Sequence, residues 1–166
     1  MSLEPLFNAG IAIQIHAMAA SISFLLGPFI LFRKKGDARH KILGRLWAFT
    51  MAMTIASSFF IFGIRTFGLF GPIHIISVLA SFSLVRAIHF ARIGNIVAHQ
   101  RNMRGLYFGA LIVAGLFTFL PNRIMSEVFF NGRELSGFLM VSAGVVISYG
   151  ALGLAKRQGW IKADVF

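Results

Sequence analysis

The stretch at residues 11–32, IAIQIHAMAASISFLLGPFILF, contains no charged side chain, and the basic segment RKKGDARHK follows it directly at residues 33–41. A helix of about 20 apolar residues, rising about 1.5 Å per residue, crosses a hydrocarbon core roughly 30 Å thick. Polarity does not alternate along the stretch, as it would in the strands of a membrane barrel. The stretch therefore predicts a membrane-spanning helix that ends in a basic connection.

The same pattern recurs along the rest of the chain. We predict an all-α fold, a polytopic transmembrane helix bundle with five spans, at about residues 11–32, 46–66, 73–91, 105–121 and 135–155. Helices are expected because a helix satisfies all its backbone hydrogen bonds within one segment, as lipid requires. The connections are too short to fold by themselves, so residues 1–166 are predicted to form a single integral membrane domain.

The composition excludes an ordinary soluble domain. Of the 166 residues, 57% are hydrophobic and 13% are charged, and the mean hydropathy is +0.79. The chain has no cysteine, which excludes disulfides, thiolate metal ligands and a cysteine nucleophile. The net charge of +11 lies in short gaps between apolar runs. This placement predicts membrane lipids as partners, including anionic headgroups, and no nucleic acid.

The basic residues also predict the orientation of the bundle, because Lys and Arg in short loops remain on the cytoplasmic side. One side would hold only Arg65, Arg123 and Arg133. The other, cytoplasmic side would hold the remaining basic residues: Arg33, Lys34, Lys35, Arg39, Lys41, Arg45, Arg86, Arg92, Arg101, Arg104, Lys156, Arg157 and Lys162. Five spans then place the N-terminus outside and the C-terminus in the cytoplasm.

Polar residues at helical spacing on the first three spans predict a polar seam between these helices. They are His16, Ser23, Thr50, Thr54, Ser57, Ser58, His74, Ser77 and Ser81. His16 and His74 fall at similar depths in the outer half of the membrane. Two imidazoles on facing helices are a ligand set for the iron of haem b or for another metal, and either ring can also hydrogen-bond a quinone. The candidate cofactor site is His16, His74, Arg65 and Ser77.

Other types of chemistry are disfavoured by the sequence. The five acidic residues all lie outside the predicted spans, so no buried carboxylate is present to relay protons or bind a coupling cation. No nucleophile elbow, zinc-binding H-E-x-x-H helix or phosphate-binding glycine loop occurs. The best specific hypothesis is a small redox protein that binds haem or quinone. The alternative is a non-catalytic accessory or assembly subunit that packs against a larger membrane complex, and a small-molecule carrier is the weakest option.

Three segments, HKILGRLW at residues 40–47, GPIHIISVLA at residues 71–80 and NIVAHQRNMRGLYFGALIVAGLFTFLPNRIM at residues 95–125, resemble the bacterial multi-pass membrane proteins grouped as domain of unknown function 2306. The family pattern has His-Arg-x-x-Gly-Arg in the first cytoplasmic gap and Gly-Asp-x-x-x-His-Arg-x-x-Met before a later span. The matching positions are His40, Lys41, Gly44 and Arg45, then Gly94, Asn95, His99, Gln100 and Met103. Lys41, Asn95 and Gln100 depart from the pattern. The resemblance implies a helical protein of the bacterial inner (cytoplasmic) membrane and brings no reaction with it.

The marked positions of this family gather on the predicted cytoplasmic side. Together with neighbouring residues they suggest one basic patch that contains imidazoles, composed of His40, Arg45, Arg86, His89, His99, Arg104 and Tyr107. Such a patch would hold an anionic lipid, a haem propionate or the edge of a quinone, or it would anchor the chain at the headgroups. Arg86 and His89 by themselves fit an anchor at the inner membrane surface.

Overall fold

The computed structural model describes residues 2–62, 68, 71–131, 135, 137–139 and 141–146. Within these residues the secondary structure is helical, without strands. The all-α prediction is confirmed. The chain forms two compact units, Ala9–Ala114 and a second that combines Met1–Asn8 with Gly115–Phe166. The prediction of a single domain stays a prediction.

The larger unit begins with two long helices. Helix α2 (Ile11–Phe32) matches the predicted first span at both ends and follows the short helix α1 (Glu4–Phe7). Helix α3 (Ala38–Ser58) begins earlier and ends earlier than the predicted span at 46–66. The carboxylate of Asp37 caps α3 by accepting the His40 N–H at 2.7 Å, so two charged turns precede the apolar part of the helix. The predicted bounds of the second span were therefore wrong as helix bounds.

Helix α4 (Pro72–Arg92) matches the predicted third span to within a residue at each end. A turn at Gly94, with φ of 75°, leads into α5 (Ile96–Arg104), where the Asn95 side chain accepts the Ala98 N–H at 3.1 Å. Asparagine caps a helix as well as aspartate does, so this position functions locally without the carboxylate of the family pattern.

The region of the fourth predicted span is helical in a less regular way. A π-helix (Gly105–Ile112) follows α5 directly and continues as α6 (Val113–Phe117). Leu106 and Leu111, both buried, lie five residues apart, which is the hydrogen-bond spacing of a π-helix. The helical run thus begins well before residue 105 and ends before residue 121.

The core of the larger unit lies between α3, α4 and the π-helix. It consists of Trp47, Met51, Ile55, Ala80, Leu84, Leu106, Tyr107 and Leu111. Helix α2 packs on α3 and on the π-helix. The helices α2 and α4 are long and apolar enough to cross a membrane.

The second unit contains α1 and α7 (Ile124–Phe130), which pack together. The Ser2 N–H donates to the Val128 carbonyl at 3.3 Å, and the Phe119 and Phe129 rings meet edge to face at 5.7 Å. Asn131, at φ of 40°, ends α7. Of the predicted fifth span, residues 136, 140 and 147–155 lie outside the described residues, as do Arg133 and the basic C-terminal segment.

Candidate functional site

His16 lies on α2 and is anchored to the last turns of α3. Its Nδ1 is 2.9 Å from the Thr54 carbonyl oxygen and 3.2 Å from Ser57 Oγ. A carbonyl oxygen only accepts, so Nδ1 carries the proton and donates it to Thr54. In the neutral ring, Nε2 then carries the lone pair and is the nitrogen that can accept a hydrogen bond or bind a metal.

His74 lies in the first turn of α4 and has the opposite tautomer. Its Nδ1 accepts the Gly71 N–H at 3.1 Å, so this nitrogen carries the lone pair. The neutral ring therefore has its proton on Nε2. The imidazole is buried against the rings of Phe59 and Phe62, whose centroids are 6.3 and 5.6 Å away. His74 is thus a helix cap as well as a candidate ligand.

Buried hydroxyls join α3 to the helices on either side of it. Ser23 of α2 donates to Thr50 Oγ1 at 2.8 Å, and Ser58 Oγ contacts Ser77 Oγ of α4. Ser77 also donates to the Ile73 carbonyl at 2.7 Å. Together with His16 and His74, these residues form what we call the seam: His16, Ser23, Thr50, Thr54, Ser57, Ser58, His74 and Ser77. These predicted polar residues of α2, α3 and α4 therefore lie at helix contacts, whereas Ser81, also predicted, donates to the Ser77 carbonyl within α4.

Both candidate imidazoles lie at the C-terminal end of α3. His16 binds Thr54 and Ser57, and His74 is followed one turn later by Ser77, which contacts Ser58. Arg65, the fourth residue of the candidate cofactor site, lies outside the described residues. The part that these side chains play in cofactor binding stays a prediction.

Tyr107, which the sequence placed in the basic patch, contacts α2. Its hydroxyl donates to the Phe24 carbonyl at 3.1 Å. That carbonyl lacks its usual helical partner because residue 28 is proline, which has no N–H to donate four residues back. Tyr107 therefore satisfies the acceptor that the proline leaves open, and the ring lies so close to Gly27 that a Cβ there would overlap it.

Trp47 reaches the carbonyl of the residue that precedes Phe24 in the same turn of α2. Its indole Nε1 donates to the Ser23 carbonyl at 2.9 Å, and the side chain is 4% exposed. Trp47 was not among the residues predicted to have a role. Pro28 within an apolar span predicts an open carbonyl at residue 24, which Tyr107 reaches, and it gives no signal for Trp47.

The remaining residues of the predicted basic patch fall into separate places. His40, in the first turn of α3, and His99, on α5, interact electrostatically. Arg86 and His89 lie on the exposed face of α4, where the Arg86 guanidinium is 5.6 Å from the centroid of the Phe90 ring. Arg45 is exposed on α3, and Arg104 reaches Gln100 Oε1 at 3.5 Å. His40 and His99 are thus two residues of the predicted patch that interact with each other.

Three comparisons with known proteins bear on identity. A search of curated proteins and a search of solved structures each found no match. A family described as "Predicted membrane protein (DUF2306)" matches residues 13–149, which is most of the chain. This chain therefore belongs to the DUF2306 family of predicted membrane proteins, as the sequence motifs suggested.

Proposed function

We propose that this membrane protein crosses the bacterial inner membrane five times, with its N-terminus outside and its C-terminus in the cytoplasm. The spans of α2 and α4, together with the apolar part of α3, support the first three crossings. The asymmetry of Lys and Arg supports the orientation. The chain has no native cysteine, so single cysteines introduced at Ser2 and Lys35 report topology without background. A membrane-impermeant thiol reagent should label the first in intact cells and the second only in inverted vesicles; the reverse pattern would overturn the orientation.

Within this topology, we propose that the seam binds the headgroup of a quinone, between His16 and His74. The observation that carries this proposal is the pair of opposite tautomers at one end of α3. His16 offers a lone pair on Nε2, and His74 carries a proton on Nε2. A quinone carbonyl accepts a hydrogen bond and a quinol hydroxyl donates one, so such a pair is complementary to both redox states.

The same tautomers disfavour a haem iron bound by His16 and His74 together. A haem iron needs a ring nitrogen that carries a lone pair. The His74 lone pair is on Nδ1, where it accepts the Gly71 N–H and caps α4. Binding iron through Nε2 would require the proton of His74 to move and the cap to be lost. His16, whose Nδ1–H is held by a backbone carbonyl, has the usual orientation of a ligating histidine, so a site with one histidine ligand is the remaining haem alternative.

The test uses one substitution at each histidine, to asparagine, that separates anchoring from ligand binding. Asparagine places its polar atoms near the position of Nδ1, whereas glutamine reaches the position of Nε2. His74→Asn should therefore keep the α4 cap and lose quinone binding, and His16→Asn should keep the bond to Thr54 and lose quinone binding. His89→Gln, on the exposed face of α4, is the control.

The measurement is equilibrium binding of a short-chain ubiquinone analogue and of a short-chain menaquinone analogue to the purified full chain in detergent. We expect each asparagine variant to weaken binding by about tenfold, the value of one hydrogen bond of about 1.4 kcal/mol. Far-ultraviolet circular dichroism checks that each variant is folded. A Soret band in the wild-type absorbance spectrum, lost in His16→Ala, would replace quinone with haem. Unchanged quinone binding in both asparagine variants would overturn the proposal.

A second candidate function is an accessory subunit of a larger membrane complex. It is favoured by a groove of about 160 Å³ between α4 and the π-helix, lined by small residues that include Ala80, Ser83, Gly105 and Gly109. Small residues let a neighbouring transmembrane helix approach closely. Purification in mild detergent should then recover a stoichiometric partner, and Gly109→Leu should release it. A chain that runs as a monomer with lipid alone would exclude this function.

A further inference from the structure

The start of α3 holds a group of charged and imidazole side chains that the quinone proposal does not use. We call it the His40 cluster: Arg33, Lys35, Asp37, His40 and His99. Arg33, Lys35 and Asp37 belong to the connection before α3, His40 to its first turn, and His99 to α5. His40 interacts electrostatically with the other four residues.

One ring nitrogen of His40 distinguishes this cluster. Its Nδ1 is buried and has no hydrogen-bond partner among the described residues. A buried polar atom without a partner destabilises the fold, and a ligand that supplies the partner removes this cost. His99, by contrast, is held in place, because its Nδ1 donates to the Ala87 carbonyl at 2.9 Å. This bond leaves the other nitrogen of His99, Nε2, as the one available to a ligand.

The single carboxylate of the cluster is already engaged. One oxygen of Asp37 accepts the His40 N–H at 2.7 Å, and the other accepts the Arg33 guanidinium at 2.8 Å. Lys35 is exposed, and no ion pair is described for it. The cluster therefore combines excess positive charge with a buried imidazole nitrogen that lacks a partner, which are features of a site for an anion with several acceptor oxygens.

We propose that the His40 cluster binds a phosphate group, either that of an anionic lipid headgroup or free phosphate. Phosphate oxygens only accept, so His40 would donate from Nδ1 and Lys35 from its ammonium group. His99, whose Nδ1 proton is held by the Ala87 carbonyl, would donate from Nε2 as the imidazolium. Apolar side chains beside the cluster, Phe32, Ile42 and Leu46, are 56%, 64% and 46% exposed, so an acyl chain has apolar surface next to the phosphate. This site lies at the opposite end of α3 from the seam and stands independently of quinone binding.

Phosphate binding is expected to depend on pH in a defined direction. Burial, His99, Arg33 and Lys35 together hold the pKa of His40 below its ordinary value, although Asp37 opposes this. A bound anion favours the imidazolium, so binding takes up a proton. By linkage, affinity then rises as the pH falls toward and below about 6.5.

The experiment measures anion binding to the full chain in detergent through the shift of its melting temperature. In one arm, inorganic phosphate is titrated at constant ionic strength; in the other, phosphatidylglycerol is added to micelles and compared with phosphatidylcholine. The pH dependence is measured with phosphatidylglycerol, or with sulfate in the inorganic arm, because their charge is constant between about pH 6 and about pH 8. The variants are His40→Gln, His99→Gln and Lys35→Gln, with His89→Gln as the exposed histidine control.

We expect the wild type and His89→Gln to be stabilised in at least one arm. The affinity should fall about tenfold in His40→Gln and in His99→Gln, and about two- to threefold in Lys35→Gln, whose exposed charge contributes less. It should be about threefold higher near pH 6 than near pH 8. Stabilisation by inorganic phosphate identifies free phosphate as sufficient, and stabilisation by phosphatidylglycerol alone identifies the lipid. No stabilisation in either arm, or equal stabilisation of the His40, His99 and His89 variants, would overturn the proposal. If His40→Gln does not fold, the Lys35 variant and the wild-type pH dependence decide.

Discussion

The interior of residues 9–114 and the His40 cluster differ in how their polar groups are hydrogen-bonded. In the interior, the hydroxyls of Ser23 and Tyr107 and the indole of Trp47 each donate to another helix. In the His40 cluster, the Nδ1 of His40 is buried with no hydrogen-bond partner among the described residues, and cations outnumber the one carboxylate. Polar groups thus hold the helices together in the first region, whereas in the second the described residues leave a buried ring nitrogen without a hydrogen bond. Substitutions in the two regions should therefore have different signatures.

The largest effect is expected where packing in the interior is tightest. Gly27→Ala should lower the free energy of unfolding by about 2 to 3 kcal/mol, because the added methyl would overlap the ring of Tyr107. Gly44→Ala is the matched control on α3, since nothing lies within 4 Å of a Cβ there. It should gain about 0.5 to 1 kcal/mol from helix propensity. Both are measured by reversible denaturation in detergent, and equal effects at the two glycines would show that Tyr107 does not pack as described.

The next effect tests whether Tyr107 replaces the missing amide of Pro28. Tyr107→Phe removes the hydroxyl and should cost about 1 to 2 kcal/mol, because the Phe24 carbonyl loses its donor. In a Pro28→Ala background the residue 28 N–H can supply that donor, so the same substitution should cost much less. A double-mutant cycle with the four chains measures this difference. An equal cost of Tyr107→Phe in both backgrounds would contradict the proposed compensation.

The relation between Pro28 and Tyr107 also shows what the sequence could and could not predict. A proline inside an apolar span specifies which carbonyl opens, because the helical hydrogen bond always runs four residues back. The donor that fills it comes from 83 residues away along the chain. Its identity depends on the π-helix, and nothing in the local sequence specified that irregular turn.

The helix bounds were also predicted well where the local sequence specifies them and poorly where it does not. The ends of α2 and α4 were predicted because their apolar runs end where glycine or charged residues also end the helix. For α3 the apolar run and the helix do not begin at the same residue. The Asp37 cap starts the helix in a charged segment, and hydropathy does not detect this start. Depth and spacing placed His16 and His74 near one end of α3. Their tautomers depend on backbone groups of Thr54 and Gly71 and were not predictable.

A smaller effect is expected for the hydroxyl pair of the seam. Ser58 and Ser77 contact each other between α3 and α4, but each hydroxyl also lies within hydrogen-bond distance of a carbonyl of its own helix and has only one proton to donate. The coupling energy from Ser58→Ala and Ser77→Ala should therefore be only about 0.6 kcal/mol, as for other hydrogen bonds between membrane helices. Ser81, which donates to the Ser77 carbonyl within α4, is the control and should show no coupling with Ser58. A coupling energy above about 2 kcal/mol would indicate that the two hydroxyls interact more strongly than an ordinary hydrogen bond between membrane helices.

The smallest effect distinguishes the His40 cluster from the interior through pH. The pKa of His40 is lowered in the folded chain, mainly by burial and then by His99 and Arg33. The unfolded chain therefore binds a proton first as the pH falls below about 6.5, so the free energy of unfolding decreases between that pH and the lower folded pKa. The Asp37 carboxyl, whose pKa is lowered chiefly by the His40 N–H, loses its contribution only in more acidic solution. His40→Gln should flatten the first decrease and leave the second, whereas Gly44→Ala should leave both. Since a bound phosphate would favour the imidazolium, adding the active anion should also reduce the first decrease in the wild type. A profile unchanged by His40→Gln would show that His40 titrates no differently when the chain folds.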